Sequence, residues 1–297
     1  MIRLEAALNQ WGMEAHLAFL EVAKRDLEAA RCLSSRKLYP QAVFFLQQSV
    51  EKATKSFGLW AKVVTEGEVK DAVGHDAWKV FSKIFGEFYG RLAKLVEALK
   101  ALPGLKESGL MKELEVSELR RAYDKYRALV SSKASLESVA FSRKELHDVI
   151  AMIDRLRNEA NGMRDRLRSV KVGPEDVEGW REEVRKSLEV LSEMRPIVDL
   201  KEAKEVLDRV FTHQVVEALL RKLSEFLPSA TFSAVCLLCL SLILSPHAVS
   251  SRYPRDNSSP LEIYDERMPL VQLLDSFMRI AEEALEGLDH LYAVRPP

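Results

Sequence analysis

Apolar positions recur at spacings of three and four along most of the chain, the period of helices packed on one side. From about Met13 to Lys37, Leu17, Leu20, Ala23, Leu27, Ala30 and Ser34 make one stripe, with Lys24, Arg25, Glu28 and Arg31 off it. Tyr39-Pro40 ends this pattern, and Pro40 suits the first turn of a second helix predicted to reach about Val64. Its inner side is Ala42, Phe45, Leu46, Ser49, Ala53 and Phe57, where small residues let a neighbour approach. Thr65 to Gly74 reads as a polar loop, and a third helix from about Asp76 carries Trp78, Phe81, Phe85 and Phe88.

After Gly90 charge density rises and aromatics thin out. Ser142 with Glu145 is a capping box, so a helix starts there. Val149, Ile153, Leu156, Ala160, Met163, Leu167 and Val170 follow at alternating spacings of four and three, a coiled-coil seam. Val177, Val184, Leu188 and Leu191 on the next helix, opened by Gly173-Pro174, are its expected partner; a seam between two chains would give a homodimer. Arg195-Pro196 ends that helix, and another is predicted from about Asp199 to Phe226. Between Glu225 and Arg252 no charged residue occurs, and Ala230 to Ser245 is almost wholly apolar. That stretch is short of the roughly 20 residues a membrane-crossing helix needs, so it reads as a buried core helix, with a membrane span as the alternative. A loop with four prolines follows, and a last helix from near Pro269 to about Val294 has Leu270, Leu273, Leu274, Phe277, Ile280, Ala281, Ala284 and Leu288 as its stripe.

Composition supports an all-α chain: Gly (12) and Pro (11) are too scarce in 297 residues for a turn-rich β or Rossmann fold. A net charge of -1 gives no global attraction to nucleic acid. Three cysteines exclude a disulfide scaffold and point to a reducing cytoplasm. The N-terminal stretch lacks the basic and apolar regions of a signal peptide, so the expected localisation is cytoplasmic.

Several motifs together resemble a known family. Asp26-Leu27 with Ala30 is followed by A-V-F-x-x-Q-Q-x-x-E-K-A from Ala42 to Ala53, and then by His75-Asp76. Later come the apolar helix, Ser251-Arg252-Tyr253-Pro254, and the last helix. This order is similar to a HEPN domain, over roughly residues 13–90 and 230–295. The resemblance implies an up-and-down helical bundle in two halves, 1–90 and 229–297, split by an inserted helical-hairpin region at 91–228. It further implies a binding module for a nucleotide or RNA, associated with a nucleotidyltransferase-type partner and with defence or toxin–antitoxin systems. The family's ribonucleases carry an Arg followed, after four to six residues, by His. Here Arg143/His147 and Arg209/His213 have three between them, and His247 precedes Arg252. A non-catalytic module is therefore the leading expectation. A ribonuclease of another kind and a helical adaptor are its rivals.

The candidate ligand-binding residues are Gln48, Lys52, His75, Arg252 and Tyr253. Gln48 and Lys52 share a helical face; they line a polar cleft or form a surface pair, with Glu51 contacting Lys55. His75-Asp76 marks a helix start, where Asp76 caps the helix or an anion binds. Arg252 either folds back onto helix carbonyls or clamps a phosphate. Arg157, Arg164, Arg168 and Lys171 form a basic stripe with Asn161, a candidate nucleic-acid contact. The competing expectation is pairing with Glu175, Asp176, Glu178, Glu182 and Glu183 of the next helix. Cys236 and Cys239 read as buried small hydrophobes, so neither a metal nor a cofactor is expected, beyond a nucleotide ligand.

Overall fold

The computed structural model describes residues 14–71, 83–91, 94, 141–194, 200–254 and 259–293. Among them every regular element is a helix. The chain is all-α, as its periodicity and its scarce glycine and proline require. These residues divide into two compact units, and the division falls inside two continuous helices, after Asn158 and after Pro228. The described residues of the first unit are 14–71, 83–91, 141–158, 229–254 and 259–293; those of the second are 94, 159–194 and 200–228.

In the first unit, α1 (Ala15–Ser35) and α2 (Tyr39–Trp60) form an antiparallel hairpin. Its turn closes on Lys37, which has a left-handed φ of 59°, while Lys37 N donates to Ser34 O and Leu38 N to Leu33 O. At the far end of α2, Lys62 takes φ 52° and Val63 N donates to Gly58 O, the same closure. The last long helix, numbered α11 in chain order (Leu274–Ala293), packs on both members of the hairpin. Lys24 pairs with Asp289 at 2.5 Å and Arg31 with Glu282 at 2.5 Å. Seven residues forward on α1 thus correspond to seven backward on α11, so the two run antiparallel. Ser56 Oγ donates to His16 O (2.6 Å) and meets Tyr292 Oη (2.8 Å), which ties α2 to both neighbours. A stretch at 83–91 is helical and packs on the end of α2: a Cβ on Gly58 would lie 2.5 Å from the Ile84 side chain.

Thr65 to Gly74 is not the expected loop over its described part. Glu66–Asp71 is a short helix, α3, capped by Thr65: Glu68 N donates to Thr65 Oγ1, and Thr65 N donates to Glu68 Oε2. Trp78 and Phe81 lie outside the described residues, whereas Phe85 and Phe88 are buried. In α1, Leu17 of the expected inner stripe is exposed; the contact face is Ala18, Leu20, Ala23, Leu27 and Ala30.

Helix α4 (Arg143–Ser169) begins at the expected capping box, with Ser142 N donating to Glu145 Oε2 at 2.8 Å. α5 (Pro174–Met194) and α6 (Leu200–Val210) pack together, with Arg185 on Asp208 at 2.5 Å. The single helix expected from Asp199 to Phe226 is in fact two. The second, α7 (His213–Leu244), continues through Pro228 into the apolar stretch. Proline removes one backbone donor and disfavours a helix interior. Here it costs the bond to the Ser224 carbonyl without ending the helix, because apolar residues on both sides of it are buried: Leu223 and Leu227 before, Ala230 and Ala234 after.

By length and composition α7 could cross a membrane, but 83% of its most apolar window is buried within the protein. Leu237, Leu238, Leu240 and Leu244 are at most 1% exposed. The second half of α7 meets α11 closely: a Cβ on Gly287 would lie 2.2 Å from Ser233 Oγ. The proline-containing connection to the last helix is not all loop. It holds α8 (His247–Ser250) and α9 (Pro260–Ile263), both packed on α2, the latter capped by Ser259 and Glu262. The last helix itself is interrupted, with α10 (Pro269–Gln272) separated from α11 at Leu273.

Candidate functional site

The hairpin, α8 and α9 leave α2 with no exposed residue from 42 to 58. Its wettest side is only half-buried and carries Phe44, Gln48, Glu51 and Lys52. These positions are three and four residues apart, hence neighbours on one face. The polar members are joined in a chain. Lys52 Nζ donates to Asp26 Oδ2 of α1 at 2.6 Å and to Gln48 Oε1 at 3.1 Å. Gln48 Nε2 donates to Gln47 Oε1 at 2.8 Å, and Gln47 Nε2 to Glu51 Oε2 at 3.1 Å. Lys55 Nζ completes it on Glu51 Oε1 at 2.7 Å. Gln47 and Lys55 are buried. Burial pushes the Glu51 carboxyl up, yet Lys55, Gln47 and Lys52 together hold it below the usual carboxylate range. The Glu51–Lys55 contact anticipated for a surface pair exists, but inside the bundle, where broken pairing would leave a desolvated charge.

Arg252 follows α8 and adopts the first of its two expected roles: Nε donates to Ala248 O at 3.0 Å. Its guanidinium also lies over the Phe44 ring at 4.9 Å and the Tyr253 ring at 5.1 Å. Arg252 and Tyr253 are both exposed. Phe44 is eight residues, or roughly 12 Å of helix, from Lys52. The Arg252–Phe44 stack and the Lys52–Asp26 pair therefore occupy the same face of α2, two turns apart. A single phosphate could not touch both cations, whereas an extended ligand lying along α2 could. His75 and Asp76 lie outside the described residues.

The basic stripe is paired with acids, although not those of the next helix. Arg157 is held by Asp154 at 2.5 Å and by Glu283 of α11 at 2.6 Å. Arg164 and Arg168 both contact Glu225 of α7. Glu178 and Glu182 instead serve Arg181 and Arg185 of their own helix, and Asp176 accepts from Gly173 N. Lys171 is exposed just past the end of α4. Any phosphate approaching Arg157, Arg164 or Arg168 has to compete with these carboxylates.

One polar cluster escaped the sequence reading. His247 Nδ1 and Ser250 Oγ each lie 2.8 Å from Tyr264 Oη, beneath the Arg252 segment. Burial lowers the His247 pKa to about 4 and raises that of Tyr264 to about 12, the latter partly offset by the bond to Ser250. Tyr264 lies 17 residues along the chain from His247, beyond any helical spacing, and no local pattern marks the pair. Cys236 and Cys239 are buried, and burial pushes the Cys236 thiol well above its ordinary value, which makes it inert. Among the described residues no group of three His, Cys, Asp or Glu is placed to hold a metal.

The hairpin and its polar face coincide with a family match: residues 17–69 fit the family model described as HEPN domain. This stretch is similar to a HEPN domain. The match covers nearly all of α1, all of α2 and α3 as far as Val69, and so includes Asp26, Gln48 and Lys52. Arg252 and Tyr253 lie beyond it. No curated protein and no solved structure matches the chain. The similarity supports a nucleotide- or RNA-related module in general terms.

Proposed function

We propose that this is a non-catalytic HEPN-type binding module that takes a nucleotide or a short single-stranded RNA along the half-buried face of α2. The observation that carries the reading is the Arg252 guanidinium stacked over Phe44 and Tyr253, in line with Gln48 and Lys52. An exposed tyrosine offers a ring to a base, arginine offers a charge to its phosphate, and Gln48 can both donate and accept. In this reading the module acts in the cytoplasm, without a membrane or metal, alongside a nucleotidyltransferase-type protein in a defence or toxin–antitoxin-like system. The seam of α4 gives it a route to a homodimer.

Lys52 is a poor probe, because removing it strands Asp26, whose side chain is only 15% exposed. Arg252→Ala and Tyr253→Ala touch exposed groups and should leave the fold intact. Calorimetry with a nucleotide panel and anisotropy with labelled single-stranded RNA should show at least a tenfold loss for each variant. Absence of binding in the parent protein, or unchanged affinity in both variants, would favour the helical adaptor reading.

A further inference from the structure

A cavity of about 480 Å³ opens elsewhere in the same unit, between the end of α1, the start of α2 and the first turns of α11. Its size falls in the usual range for small-molecule sites, roughly 300–1,000 Å³. Val271 and Met278 give it an apolar wall, and the Tyr39 side chain closes another. Two arginines reach it from different helices. Arg31 is fixed by Glu282, with both terminal nitrogens engaged, so its position is set before any ligand arrives. Arg279 is exposed and, among the described residues, makes no ion pair or hydrogen bond.

Asp275 stands one turn before Arg279 and also lines the cavity. A pair of this spacing would ordinarily close across the helix surface. No ion pair joins the two among the described residues, so an unpaired cation and an unpaired carboxylate face one space. Hydroxyls complete the lining. Ser35 Oγ donates to Cys32 O at 2.9 Å, which leaves its lone pairs to accept, and Ser34 stands beside it. Tyr39 Oη is drawn towards Glu266 (3.3 Å), so it is chiefly the ring that faces a ligand.

We infer that this cavity binds a small sugar phosphate, its phosphate on Arg279 and its sugar hydroxyls on Asp275 and the Ser34–Ser35 pair. A single anionic group satisfies the unpaired guanidinium. Hydroxyl groups satisfy a carboxylate, which can only accept. A second anionic group would meet Asp275 and be repelled. The site is separate from the α2 face proposed above and does not depend on it.

Ribose 5-phosphate, ribose and inorganic phosphate are the probes, each titrated calorimetrically into the full-length protein. Ribose 5-phosphate should bind at least tenfold more tightly than either fragment. Arg279→Ala should weaken it at least tenfold, and Asp275→Asn should weaken ribose 5-phosphate without weakening phosphate. Ser34→Phe, which fills the cavity from the opposite helix, should abolish binding, whereas Arg252→Ala should leave it unaltered. Circular dichroism checks that each variant is folded. No saturable binding of ribose 5-phosphate overturns the inference, as does equal binding by Arg279→Ala and Ser34→Phe, or phosphate binding as tightly as the sugar phosphate.

Discussion

Gly287 sits mid-way along α11, where alanine would ordinarily be the better helix former by up to about 1 kcal/mol. The structure reverses that expectation. A Cβ at position 287 would stand 2.2 Å from Ser233 Oγ on α7, too close for two unbonded atoms, while Ser233 Cβ would be at an ordinary 3.6 Å. The obstruction is therefore one oxygen. Overpacking of this kind costs roughly 1–3 kcal/mol. Set against the propensity gain, Gly287→Ala should destabilise the protein by about 1 kcal/mol. Ser233 Oγ is buried and has no hydrogen-bond partner. Ser233→Ala should accordingly be neutral or slightly stabilising. In that background Gly287→Ala should change sign and stabilise. Urea unfolding followed by far-UV circular dichroism on the four proteins measures the coupling. Contacting residues of this kind deviate from additivity by roughly 0.5–3 kcal/mol. If Gly287→Ala shifts stability equally in both backgrounds, α7 and α11 do not meet as described.

Three further outcomes follow from the same unit. His247 has a folded pKa of about 4 against an ordinary 6.5, so the unfolded chain binds the extra proton over that interval. Its contribution is complete above about pH 6.5 and is lost as pH falls through 4, which amounts to about 2 kcal/mol between pH 7 and pH 5; unfolding of His247→Asn should lack that slope, and an unchanged slope would contradict the burial. Lys62→Gly should stabilise by about 0.5–1 kcal/mol in thermal melts, because only the Cβ opposes φ 52° there; a loss of stability would refute this account of the turn. Leu240→Asp should cost several kcal/mol by placing a charge where the side chain is 0% exposed; a variant that folds normally in denaturant titrations would argue that this part of α7 faces out.

Sequence alone determined the local layer of this protein. Helical periodicity, the Ser142–Glu145 cap and the stops at Tyr39-Pro40 and Gly173-Pro174 are short-range effects, and the corresponding helices start and end close to where those residues place them. The caps at Thr65–Glu68 and Ser259–Glu262 carry the same Ser/Thr-x-x-Glu signature, although both stretches read as loop from the sequence. The Q-Q-x-x-E-K run was visible as a shared helical face, and the HEPN match falls on it. Tertiary structure decided what those side chains meet. Asp26 takes Lys52, Glu283 takes Arg157, Phe44 receives Arg252, and Tyr264 receives His247. Each partner is brought by a different helix, and no short-range rule selects it. Pro228 shows the same division: its own chemistry signals a break, and burial of the helix around it overrides that signal. Packing also decided where a cavity remains, because a gap between three helix ends is set by their relative placement and by no residue of any one of them.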